Sequence, residues 1–331
     1  MTPRKMLLLR AVVRHYVLTG EPVGSKALTD DFDFSVSSAT LRSEMNELSL
    51  MGYLSQPHTS AGRVPTYAGL RYYVDRLLVP KPIDQREREE IRSLFPENLF
   101  GVNDILKAAL TAVAEITRCA AVSATPANSA AKIHRMELFP VGKETGMLVL
   151  ITDSGVVKNR VCRLARGFSA ADFERFNNLA QRHICGHELS EITPAFLQTL
   201  AAALENPFDF LPVFAFAGEL ALSASESEIY TLGEQNLYRE NALRERMLSD
   251  LLKCSREVLS LLSQRQENGK VLLGEETGVE ELCPLALVFS GYSAGEQAGK
   301  IGVVGPARMD YDAIIPRLEY FAELITKMLN R

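Results

Sequence analysis

The sequence predicts a multidomain chain of the α+β class: a small helical unit closed by a β-hairpin, then an α+β unit interrupted by an insertion. Three observations carry this. Residues 36–66, VSSATLRSEMNELSLMGYLSQPHTSAGRVPT, read as a capped helix followed by a hairpin. The stretch Val79-Pro80-Lys81-Pro82 places two prolines where the preceding helix would have to continue, and proline removes the needed N–H. Beyond residue 100 the patterns run strands, then helices, then strands again, the signature of an α+β unit that is left and re-entered. With 331 residues and 47% hydrophobic content the chain can build two or three cores.

The first unit spans residues 1–79. Residues 4–19 carry Leu7, Leu8, Ala11, Val12 and Val17 in a helical pattern, which the corner Gly20 to Pro22 stops. Ser25 opens a short second helix through Lys26, Ala27 and Leu28, ending in Asp30, Asp31 and Asp33. Ser37 stands at the N-cap of the third helix and Gly52 at its left-handed C-terminal position. Between them Leu41, Met45 and Leu48 form one apolar stripe. Arg42, Ser43 and Asn46 point the opposite way with Thr40 beside them. Taken alone, that polar face suits water as well as a ligand. Its context is more specific: two helices precede it, Tyr53 and Leu54 begin a strand, and the loop Gln56 to Arg63 ends in a cation. A closing helix over 66–78 puts Leu70, Tyr73, Val74 and Leu77 inward and Arg71 and Arg76 outward. This order reads as a winged helix-turn-helix, which lays its recognition helix in the major groove. The candidate DNA-binding residues are Ser38, Thr40, Arg42, Ser43 and Asn46 on the helix and His58, Thr59, Ser60 and Arg63 in the hairpin.

Residues 80–99 read as a linker and a polar spacer helix, DQREREEIRSLF, over 84–95. A helix follows at 104–118. Strands are expected near 133–140, 146–152 and 156–164, turned at Gly142 to Thr145 and at Asp153-Ser154-Gly155. Helices fill about 169–223, with the apolar stretch Phe208 to Phe216 as a candidate subunit contact. A strand at 228–232 and a long helix at 236–265 lead to strands at 270–274, 285–292 and 299–304 and a last helix at 310–329.

The net charge of −5 does not mark a nucleic-acid protein, but its distribution is uneven. Residues 1–79 hold nine Lys/Arg against seven Asp/Glu, a net of +2, leaving −7 for the rest. The five cysteines are scattered without a C-x-x-C pair, so no disulfide framework is expected. Arg10 and Arg14 interrupt the opening apolar run too early for a secretory signal. The longest uncharged apolar stretch, Phe210 to Gly218, is short of the roughly 20 residues a bilayer needs. A cytoplasmic location without membrane contact is the expectation. His183, Cys185 and His187 have ligand chemistry but lack an identifiable fourth ligand for a closed tetrahedral metal site. Gly302 and Gly305 lack phosphate-loop spacing and read as a strand end, with Arg308 and Asp310 bracing it. No catalytic set can be assembled, and no cofactor or enzyme activity is expected.

The blocks TGEPVGSKAL at 19–28, SSATLRSEM at 37–45, GYLSQPHTSAGRVPT at 52–66 and IGVVGPARMDY at 301–311 resemble the HrcA heat-inducible transcription repressors of bacteria. Residues 165–240 match only in length and general character. The family often has proline just after the N-cap, where Ser38 stands here. The resemblance implies a GAF-like domain at 100–164 with 244–331 and an inserted dimerising domain at 165–243. It further implies a homodimer that represses chaperone operons through an inverted-repeat operator, with the GroEL chaperonin helping to maintain the active repressor. A second reading is a winged-helix regulator whose GAF-like domain binds a small metabolite.

Overall fold

The computed structural model describes residues 1–31, 36–58, 61–96, 99, 102–125, 127–164, 167–204, 206–236, 270–278, 280–295 and 297–330. Helix α1 (Pro3–Thr19) starts where Thr2 Oγ1 accepts from Lys5 N–H, and stops at Gly20, whose φ of 73° is left-handed. Helices α2 (Ser25–Asp31) and α3 (Ser38–Leu50) follow, then a hairpin of β1 (Leu54–Ser55) and β2 (Val64–Pro65). Leu8, Leu9, Val12, Val23, Leu28, Leu41, Leu48 and Leu54 close over a common core. Of the apolar residues in the α1 pattern Leu7 is exposed, because the helix buries the adjacent Leu8 and Leu9 instead.

Helix α4 (Tyr67–Tyr72) is capped by Thr66 and runs on as one π-helical turn, Tyr73–Leu77. Arg76 is exposed as expected, whereas Arg71 is turned towards the body of the protein, bonded to Val271 O at 2.9 Å and to Glu276. These two partners lie about 200 positions away, beyond any local pattern, while Asp75 pairs with the same guanidinium one turn further on at 2.7 Å. Helix α5 (Gln85–Ser93) is no free spacer: Ile91 is buried and Glu87 accepts from Arg317 Nε at 2.6 Å.

Helix α6 (Val102–Thr117) leads into β3 (Ala120–Ala124), a strand of small residues that the sequence reading missed. The chain then leaves for β4 (Ile133–Gly142), β5 (Thr145–Thr152) and β6 (Val157–Arg163), followed by α7 (Ala170–His183), α8 (Pro194–Ala202) and α9 (Pro207–Ser225). It returns in β7 (Ile229–Leu232), and β8 (Lys270–Leu273), β9 (Leu285–Ala294), β10 (Gln297–Pro306) and α10 (Tyr311–Leu329) complete it. The five-stranded sheet has the order β7-β3-β10-β9-β8, antiparallel throughout. α6 and α10 share one apolar cluster with its residues Val271, Val288, Ile301 and Val303.

The hairpins β4-β5-β6 form a separate three-stranded sheet, contrary to the expectation that grouped residues 100–164 together. Their inward residues Ile133, Met136, Leu138, Leu148, Leu150 and Cys162 pack on Phe173, Phe176, Phe210 and Phe214 in a second core. Period-two alternation reveals that one face of a strand is covered, but not by what. The excursion lies between adjacent strands: β3 pairs with β7, and Thr125 N–H donates to Glu228 O at 2.9 Å just beyond them. The expected break at 165 and the long helix at 236–265 fall largely outside the described residues, as do Asp33 and Cys254.

Helix α9 is 19 residues long and, among the described helices, is the one apolar and long enough to cross a membrane by composition. Phe210, Val213, Phe214, Ala217, Leu220 and Ala221 are buried against the second core. Within the Phe208 to Phe216 stretch Phe210, Val213 and Phe214 are buried, whereas Phe208, Leu211 and Ala215 are exposed, so it serves the second core on one side and keeps an open apolar side on the other.

Candidate nucleic-acid interface

Helix α3 is initiated by Ser37, whose Oγ accepts from Thr40 N–H at 3.2 Å, and the chain leaves it through Gly52 at φ 81°. Leu41, Met45 and Leu48 are buried, as their spacing requires. Glu44 is buried with them, which the stripe did not foretell; Arg4 Nε donates to its Oε1 at 2.7 Å. That hydrogen bond and the carboxylate's charge push the Arg4 pKa further up. Lys5 and Glu47 meet at 2.7 Å, so two ion pairs clamp α1 along α3.

The opposite face is open. Arg42, Ser43 and Asn46 are exposed, and the Arg42 and Ser43 side chains bond to no described residue. Thr40 Oγ1 lies 2.9 Å from Ser37 Oγ, and half-buried Ser38 Oγ lies 2.9 Å from Ser25 Oγ, so Ser38 joins α3 to α2. Arg63, expected as a cation free in the hairpin loop, is held instead: its guanidinium donates to Asn46 Oδ1 and Gln56 Oε1. Gln56 was not among the sequence candidates. It also spans the loop, donating from Nε2 to Ala61 O at 2.9 Å. Its position opposite Arg63 across a two-stranded hairpin is the signal that could have found it. His58 is exposed on the loop, and Thr59 and Ser60 lie outside the described residues.

The hairpin is pinned at its base. Arg63 and Val23 exchange two backbone hydrogen bonds of 2.8 Å, adding the α1–α2 connection as a third strand segment. Gly62 permits the approach, since a Cβ there would lie 2.4 Å from the carbonyl carbon and oxygen of Val23. The structure thus brings Asn46, Gln56 and Arg63 into one bonded cluster beside Arg42 and Ser43. These side chains can donate to phosphate and both donate to and accept from base edges.

The H-x-C-x-H stretch is otherwise engaged: His187 Nδ1 lies 2.8 Å from Glu191, and burial pushes the Cys185 thiol up. No cluster of three or more His, Cys, Asp or Glu able to hold a metal occurs among the described residues.

The fold and this surface define a mixed α/β protein with antiparallel sheets and an exposed polar helix at one end. A family model described as the HrcA protein C terminal domain matches residues 103–315. The chain is 32% identical to the heat-inducible transcription repressor HrcA of Symbiobacterium thermophilum, over 98% of each chain. It is 35% identical to the HrcA of Mycolicibacterium gilvum, over 99% of this chain and 98% of that one. The chain belongs to the HrcA family. These relatives are named as transcription repressors, not enzymes. The fold is shared with a crystal structure of a hypothetical protein, at a TM-score of 0.69 and 22% identity over 99% of this chain and 98% of that one.

Proposed function

We propose that this chain is a cytoplasmic, homodimeric, sequence-specific DNA-binding repressor that occludes transcription from an inverted-repeat operator. The observation that carries the reading is the exposed Arg42, Ser43 and Asn46 face of α3, with Arg63 bonded beside it. The helices and hairpin of residues 1–79 support a winged helix, and the five-stranded sheet with α6 and α10 supports a GAF-like domain. The excursion of the chain between the paired strands β3 and β7 supports an inserted domain there. The test is a binding titration at fixed salt on an inverted repeat, selected from randomised DNA with this protein, against the same bases scrambled. Arg42→Ala should cost on the order of 1–3 kcal/mol on the selected site and much less on the scrambled one. Equal losses on both would contradict base readout.

Two-fold symmetry relates the proposed dimer to the two half-sites. The outer face of the three-stranded sheet is the surface we assign to the contact, because Phe139, Val141, Val157 and Val161 stand exposed there, with Phe139, Met147 and Val161 in one row across the strands. Large apolar side chains gathered on one sheet face, here on both sides of the row Glu137, Val149 and Asn159, mark an interaction surface. Val161→Lys with Phe139→Lys should yield monomers by sedimentation while leaving the second core folded; an unchanged dimer would remove the sheet from the interface.

Heat relieves repression in this reading by loss of active repressor, which the GroEL chaperonin restores. Operator-binding activity after a heat pulse should recover faster with chaperonin and ATP than without. Equal recovery rates would reject the chaperonin's part, and a sharp requirement for a small molecule would favour the metabolite-binding alternative.

A further inference from the structure

The N-terminal unit is bolted to the body by polar contacts that the DNA-reading face does not use. Tyr73, in the π-helical turn that ends α4, donates its phenol proton to Asp312 Oδ1 at 2.7 Å, and both residues are buried. Arg14 Nε on α1 lies 3.7 Å from the other oxygen of the same carboxylate. The backbone of Asp312 takes part as well, its carbonyl accepting from Lys81 N–H at 2.8 Å, while Lys81 Nζ pairs with Asp310 at 3.0 Å. On the flank, Arg71 joins α4 to Val271 O and Glu276. Burial and the bond to Asp312 hold the Tyr73 phenol well above its usual pKa, so the bond keeps its donor at any physiological pH.

These contacts gain meaning from what α1 does at its other end. There Arg4 and Lys5 grip Glu44 and Glu47 of α3. One helix is therefore clamped to the reading helix at its start and to α10 through Arg14 near its end. Buried charged hydrogen bonds are directional and costly to leave half-made, so they select one orientation where an apolar contact alone would allow sliding. A π-turn at an element's end is also a common mark of a functional position.

We propose that Tyr73, Asp312 and Arg14 are positioning residues that fix the angle between α3 and the body, and thereby the half-site spacing that the two-fold assembly accepts on DNA. The inference rests on the dimeric repressor reading. One added base pair in an operator spacer moves and turns a half-site by roughly 35° about the DNA axis. A rigid lever cannot follow such a turn, and a loosened one can.

The test uses the full-length protein and the inverted repeat selected with it, resynthesised with the spacer shortened by one, unchanged, or lengthened by one base pair. Wild type should lose at least about tenfold in affinity for either altered spacer, the equivalent of one forfeited base contact. Tyr73→Phe and Asp312→Asn should flatten that profile to about threefold or less, with affinity for a single half-site unchanged. Arg71→Gln, on the more accessible flank, supplies a second variant should the buried pair not fold, and should flatten it in the same direction. A general loss of stability would lower affinity for every spacer alike and leave the profile sharp, which would overturn the positioning role. Sharp and superimposable profiles for all folded variants would overturn it too while leaving the repressor reading intact. Wild-type binding with no preferred spacing would overturn both.

Discussion

Gly62→Ala is expected to unseat the hairpin from the α1–α2 connection and destabilise the N-terminal unit by about 2–4 kcal/mol. The added methyl would meet backbone atoms of Val23 at 2.4 Å, and backbone cannot rotate aside as a side-chain tip can. Separating the strands breaks both hydrogen bonds between Val23 and Arg63 and carries Arg63 away from Asn46. Thermal or urea unfolding should show the loss directly, and operator affinity should fall with it. A variant with wild-type melting and wild-type binding would mean that the contact relaxes without consequence. Gly52→Ala makes a useful contrast: a methyl there would meet no atom within 4 Å, so its cost is confined to the left-handed backbone at φ 81° and should be about 1 kcal/mol.

Arg63→Ala should weaken binding to operator and scrambled DNA together, with a salt slope lower by about one contact. It should also change how Asn46 contributes. In the free protein Asn46 Oδ1 is occupied by Arg63, which orients its amide group. The double-mutant cycle between Asn46→Ala and Arg63→Ala should therefore show a coupling of about 0.5–3 kcal/mol on the selected operator. Strict additivity would mean that the two side chains meet DNA independently, and an unchanged salt slope would move Arg63 off the phosphates.

Local chemistry was well legible in the sequence. The cap at Ser37, the left-handed exit at Gly52, the stripe Leu41, Met45 and Leu48, and both turns of the β4-β5-β6 meander each follow from residues a few positions apart. The open face of α3 was legible for the same reason, since a helix converts spacing into direction. What was hidden depended on partners distant in the chain. Glu44 occupies a buried position only because Arg4 reaches it, and Arg71 turns inward only because β8 and Glu276 lie there. Strand β3 is the run AAVSA, too short and too poor in large side chains to announce itself. The meander's place in a second sheet depended on α7 and α9, whose faces the strand pattern could not name.

The placement of β3 in the five-stranded sheet has a consequence for synthesis on the ribosome. Ser123 in β3 donates to Lys300 O in β10, 177 positions later. At roughly 5–20 residues per second, about 10–35 s separate the emergence of the two. During that interval the second core can close by itself, because its strands and helices are all made, and β7 can pair with one edge of β3. The other edge, and the apolar side of α6, must wait for the last part of the chain. A nascent molecule therefore carries an open strand edge for many seconds at each round of translation, and slower elongation in the cold would lengthen that exposure while heat would make it more adhesive.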